Sequence, residues 1–101
     1  MFRIENMEQA KSLREQEGKF LLLIIADYCG VCDSVRDQTE KMLSEYPDID
    51  GAFVPIAELP EVAGEFMVFS APTILIFSQG REIARESRFI DFLKLEKALA
   101  E

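Results

Sequence analysis

The chain has no histidine, and only two of its 101 residues are cysteine. A structural zinc site draws four ligands, usually from those two residue types. One copy of this chain cannot complete such a set, so zinc would require a second subunit or carboxylate ligands, and neither a metal nor a cofactor is expected. Basic residues are also scarce. Eleven Lys and Arg stand against 19 Asp and Glu, for a net charge of −8 and a pI near 4.5. Phosphate binding needs clustered positive charge, which argues against nucleic acid and anionic membrane; an acidic surface favours partners with basic or neutral docking faces. No apolar run approaches the roughly 18 residues of a spanning helix. Met1-Phe2-Arg3-Ile4-Glu5-Asn6 lacks the charged-then-apolar layout of a secretory signal. The expected setting is the reducing cytosol, where a lone close pair of cysteines is more often catalytic than structural.

What the chain does have is enough apolar sequence, 49% of residues, for one compact domain spanning residues 1–101. There is no repeat, linker or low-complexity tract. The organising stretch is Ala26-Asp27-Tyr28-Cys29-Gly30-Val31-Cys32-Asp33-Ser34-Val35. The aliphatic run Phe20 to Ala26 ends there and apolar residues at helical spacing begin, so the cysteines sit at a strand-to-helix junction. The start of a helix offers unpaired N–H groups and the positive end of its dipole, which stabilise a thiolate on Cys29. A thiolate is the attacking species in disulfide exchange. Three readings stay open on the residues: an intersubunit zinc site, a structural disulfide and a redox dithiol. The loop a disulfide would close is too short to remove much denatured-state entropy, which favours the dithiol.

Along the chain, Phe2 and Ile4 alternate with Arg3 and Glu5 as a short strand. Asn6 reads as an N-cap with Gln9 at the capping-box position, opening a helix that turns Met7, Ala10 and Leu13 inward and ends at Gly18. Phe20 to Ala26 is too continuously apolar to have a wet face and belongs in mid-sheet. Cys32, Val35, Thr39, Met42, Leu43 and Tyr46 form the apolar face of a second helix that Pro47 stops. Asp48 to Gly51 is read as a turn before a strand at Ala52 to Ile56. Pro60 begins a short helix to Phe66, Ile74 to Phe77 is another buried strand, and Ser78-Gln79-Gly80-Arg81 turns into an edge strand at Glu82 to Glu86. Phe89, Ile90, Phe92, Leu93, Leu95, Ala98 and Leu99 mark the C-terminal helix. The order βαβαβαββα requires an α/β architecture, a mixed five-stranded sheet with helices on both faces.

Over essentially its full length the sequence resembles the thioredoxin family. Tyr28-Cys29-Gly30-Val31-Cys32 after an apolar strand, Ala71-Pro72-Thr73 before another, and a closing strand, Gly80 turn, strand and helix carry the likeness. The resemblance implies the thioredoxin fold and a thiol-disulfide oxidoreductase acting on protein disulfides, recharged by a thioredoxin-reductase-like enzyme or a low-molecular-weight thiol, and working as a monomer. It implies that Cys29 is the exposed nucleophile and Cys32 the buried resolving thiol. It also implies a cis Pro72 beside the sulfurs, with Tyr28, Gly30, Val31, Ala71 and Pro72 as the docking patch. A ring packed on the domain's edge is the competing role for Tyr28.

The departures matter as much. Leu23 stands where most thioredoxins bury an aspartate, and Phe53 where its lysine partner would be, so an ionic pair is exchanged for packing as a unit. Val31 replaces a proline at the helix start. Asp33 replaces a basic residue and, with Asp27, opposes a thiolate on Cys29. Two other functions compete: a glutaredoxin-like enzyme, disfavoured by the lack of a Thr-Val-Pro segment and a paired-glycine motif, and a binding or adaptor module with a weakly active or redox-gated dithiol.

Overall fold

The computed structural model describes residues 1–101. Its strands are β1 (Phe2–Arg3), β2 (Lys19–Ile25), β3 (Asp50–Pro55), β4 (Thr73–Ser78) and β5 (Arg81–Ser87); its helices are α1 (Met7–Glu15), α2 (Cys32–Leu43), α3 (Glu61–Phe66) and α4 (Phe92–Ala100). The sheet order is β1-β3-β2-β4-β5, with β1, β3 and β2 parallel and β2, β4 and β5 antiparallel. The uninterrupted apolar run therefore becomes the central strand: Phe20 to Ile24 are all fully buried, because helices cover both faces.

Alternation along β2 divides the core. Phe20, Leu22 and Ile24 face Ala10 of α1 and Val62 and Phe66 of α3. Leu21 and Leu23 face Val35 and Met42 of α2 and Leu95, Ala98 and Leu99 of α4. Each change of face follows the period of two that a strand imposes. Leu23 pairs in register with Phe53 on β3, so the two residues that replace the ionic pair are neighbours beneath α2. The Arg36 guanidinium of α2 lies 3.8 Å from the centre of the Phe53 ring and that of Arg3 lies 5.2 Å from it. This cation–π cover contributes about 0.5–1 kcal/mol per contact at a partly exposed site.

Local chemistry corrects several boundaries. Asn6 caps α1 by accepting from Gln9 N, but α1 ends at Glu15 with an extended Gln16, before Gly18. The Gln9 side chain accepts from the N–H of Glu5 rather than that of the cap residue. Helix α2 stops at Leu43, three residues before Tyr46. Asp50 and Gly51 belong to β3, not to the preceding turn. A Cβ on Gly51 would meet a methyl of Leu43, so a larger residue here would have to displace that side chain at the end of α2. A single 3-10 turn, Ile56–Glu58, precedes α3. Phe89 lies outside α4, and both it and Leu93 are exposed; of the apolar residues expected on this helix, Leu95, Ala98 and Leu99 are the buried ones. The β4–β5 connection has φ of 54° at Gln79 and 79° at Gly80, the signature of the type I′ hairpin turn.

Candidate active site

Strand β2 delivers the chain to the head of α2, and Cys29 and Cys32 are joined there by a disulfide with Cα atoms 5.5 Å apart. The helix begins at the second cysteine. Cys32 N donates to Cys29 O at 3.4 Å, and Val35 N to Val31 O at 2.9 Å, so the two intervening residues complete a turn that brings the sulfurs within bonding reach. The environments of the two differ. Cys32 is 4% exposed, whereas Cys29 is half-buried and flanked by the exposed Tyr28 and Gly30. That asymmetry suits an attacking thiol and a sheltered partner.

The flank on the β3 side is concave. An open cleft of about 560 Å³ is lined by Ile25, Ala26, Asp27, Tyr28, Cys29, Gly30, Cys32, Asp33, Pro55 and Glu58. Three carboxylates therefore share the cleft with both sulfurs. Glu58 is salt-bridged to Arg3, whose guanidinium pKa is raised by that hydrogen bond and by the attraction of Glu58. Sequence reasoning had placed Asp27 and Asp33 here; it missed Pro55 and Glu58. Glu58 arrives through the 3-10 turn after β3, and the register Ile25–Pro55 is what brings that turn to the cysteines.

The flank on the β4 side is laced by hydrogen bonds. The Ala71–Pro72 peptide is cis. Thr73 pairs with Ile24 on β2 and with Ser87 on β5, so Pro72 stands one step beyond the ladder at the end of β2 from which the cysteine loop departs. The buried Thr73 hydroxyl donates to Ser70 O at 2.7 Å and lies 3.0 Å from the Ser87 hydroxyl. Arg88 N donates to Pro72 O at 2.7 Å. These contacts hold the proline loop against the end of β5. Further along, the Arg85 guanidinium donates to the carbonyls of Phe66 and Met67 at the end of α3, and hydrogen bonding to Glu82 raises its pKa. Cations at a helix C-terminus satisfy its free carbonyls and its dipole.

The structure distributes the expected docking residues unevenly. Tyr28 and Gly30 join the cysteines in the cleft wall, and Tyr28 is fully exposed, not packed on an edge. A Cβ on Gly30 would meet nothing within 4 Å, so glycine there is required by no packing and leaves the approach to Cys29 open. Val31 is half exposed at the cap of α2. Ala71 is half-buried and Pro72 buried, and neither lines the cleft.

Comparison with known proteins agrees with this geometry. The Thioredoxin family profile matches residues 2–101. A thioredoxin-like protein of Bacillus subtilis, YdfQ, is 39% identical over 85 residues, covering 83% of this chain and 76% of its own. A thioredoxin of Mycoplasma pneumoniae is 26% identical over 98 residues, covering 97% of this chain and 96% of its own. The crystal structure of oxidised mitochondrial thioredoxin 3 from Saccharomyces cerevisiae superimposes with a TM-score of 0.84 at 24% identity, covering 99% of this chain and 93% of that one, a likeness of fold. With a disulfide at the head of a helix, a cis proline at the neighbouring strand and this match along the whole chain, the protein belongs to the thioredoxin family and its chemistry is thiol-disulfide exchange.

Proposed function

We propose that the protein reduces disulfides of protein substrates with Cys29 as nucleophile and Cys32 as resolving thiol. The observation that carries this reading is the exposure difference between the two cysteines at the start of α2. The Cys29 thiolate attacks one substrate sulfur, giving a mixed disulfide and releasing the other as a thiolate that takes up a proton. Cys32, losing its proton, then attacks Cys29 Sγ; the second substrate sulfur leaves with the bonding pair, and Cys29–Cys32 ends oxidised. Two electrons and two protons pass to the substrate.

With Leu23 and Phe53 beneath α2, no carboxylate is buried behind Cys32. Its proton leaves through the cleft, whose wall includes Cys32 together with Asp27, Asp33 and Glu58. Tyr28, Gly30, Val31, Ala71 and Pro72 form the surface on which an extended substrate segment rests. A thioredoxin-reductase-like enzyme or a low-molecular-weight thiol returns the dithiol to its reduced form. The protein works as a monomer of one domain in the cytoplasm, contributing to electron transport and cell redox homeostasis; no helix is long and apolar enough to cross a membrane. The adaptor alternative is not favoured, since both sulfurs are paired at a site open to a partner.

Insulin disulfide reduction with dithiothreitol tests the reading. Wild-type protein should accelerate it and Cys29→Ser should not; equal rates would defeat the proposal. Cys32→Ser should hold its targets as mixed disulfides through Cys29.

A further inference from the structure

Four non-glycine residues have a left-handed backbone: Tyr28, Met67, Gln79 and Arg88, with φ between 54° and 66°. This region is unfavourable for residues with a Cβ. Two have ordinary explanations. Met67 is the left-handed C-cap of α3, and Gln79 is in the hairpin turn. The other two flank the disulfide, Tyr28 on its loop and Arg88 beside the proline loop.

Arg88 is the more informative. Its N–H donates to Pro72 O, and Phe89 N donates to Ser87 O at 2.8 Å. An i to i+2 bond around a residue of positive φ marks the rarer, strained form of γ-turn. Glycine would fit the same backbone without strain. The guanidinium, meanwhile, makes no hydrogen bond or salt bridge with any group of the chain, unlike that of Arg85, which is shared between Glu82 and the carbonyls of Phe66 and Met67. A long cationic side chain is thus held at a costly position, exposed, beside the proline loop, without a polar partner in the chain. Strain retained without an internal contact points to an external one.

We infer that Arg88 is a specificity-determining residue that receives a carboxylate of the substrate polypeptide. The inference rests on the proposed function and names the substrate class: a protein disulfide with an acidic residue near the attacked cysteine. The arginine fork suits a carboxylate bidentately. Continuity with the site comes from Pro72, whose carbonyl Arg88 itself holds. Charge complementarity gives direction, because the opposite flank carries Asp27, Asp33 and Glu58 and repels the acid that Arg88 attracts. Phe89, next in sequence and 88% exposed, and Phe69, two residues before Ala71 and 84% exposed, add exposed apolar side chains to the two segments that the Arg88–Pro72 hydrogen bond joins.

The test uses the full chain and three otherwise identical disulfide peptides with Glu, Gln or Lys beside the attacked cysteine, compared by kcat/KM at low ionic strength. Each protein is read by its own Glu-to-Lys preference relative to wild type, and Lys97→Gln, which loses the same single charge, accounts for the repulsion of acidic peptides by the net negative chain. Arg88→Gly, which the backbone accommodates, should lower that preference about 3- to 10-fold, and Arg88→Glu should lower it further. Arg88→Lys should restore only part of it, and Lys97→Gln on the last turn of α4 should leave it as in wild type. Raising the salt should shrink the effect. An unchanged preference in Arg88→Gly, or an equal change in Lys97→Gln, overturns the inference while leaving the oxidoreductase reading intact. Failure of the wild type to reduce a small neutral disulfide would instead remove that reading and this inference with it.

Discussion

The two flanks of the disulfide are built in opposite ways. On the β3 side the chain leaves the sheet through a 3-10 turn and opens a cleft walled by three carboxylates. On the β4 side the hydroxyls of Thr73 and Ser87 and the N–H of Arg88 close the proline loop onto the end of β5. The first arrangement admits solvent to a buried thiol; the second fixes a rim against which a polypeptide can lie. The sulfur pair thus has one open, acidic flank and one closed by hydrogen bonds.

Because both flanks serve the same sulfur, Cys29→Ser should silence them together. Protein disulfide reduction should fall by at least about a thousandfold, as for loss of a covalent nucleophile; residual turnover within tenfold of wild type would separate the flanks from the chemistry. The next largest effect lies under α2. Leu23→Asp places an unpaired charge in a fully buried site and should cost about 3–5 kcal/mol in denaturant unfolding. Leu23→Asp combined with Phe53→Lys, its register neighbour, should recover a good part of that loss. A double variant no more stable than the single one would show that the two positions do not act as a pair.

On the β4 flank, Thr73→Val keeps the shape but leaves Ser70 O and the Ser87 hydroxyl without this partner. It should cost about 1–2 kcal/mol and slow protein reduction more than reduction of a small disulfide. A uniform slowing would argue that the loop supports the fold alone. The smallest effect belongs to the cleft. Asp27→Asn with Glu58→Gln removes two negative charges from beside the reduced pair, which favours the Cys29 thiolate. Alkylation by iodoacetamide near pH 7 should rise about twofold, the modest scale of exposed charge interactions. A slower reaction would reverse the sign assigned to the cleft.

Much of this was readable from residues because the strong signals are local. Seven aliphatic and aromatic residues in a row from Phe20 can form only a covered strand, and Gln79-Gly80 can form only a tight turn, so element order, the sheet's centre and the position of the cysteines were all legible. The exchange of Leu23 and Phe53 was visible too, and the register joined them. What was hidden depends on relations with no local signature. Arg88 occupies a backbone shape normally announced by glycine, so nothing in Ser87-Arg88-Phe89 marked a turn or its approach to Pro72. Glu58 reaches the cleft only through register between parallel strands. Exposed and buried hydrophobic residues look alike in a pattern, so Phe89 and Leu93 stand in it beside Leu95, Ala98 and Leu99; packing against β4 and β5 buries only the last three.

The hydrocarbon pair Leu23 and Phe53 has a consequence for how the molecule senses acidity. Apart from Cys32, no buried side chain carries an ionisable group; the only other polar side chains inside are those of Thr39 and Thr73. In the oxidised form the interior has no proton to gain or lose. Only when the disulfide opens does one internal group become responsive, so the protein's inner sensitivity to pH switches on with its reduction and resides in a single sulfur atom.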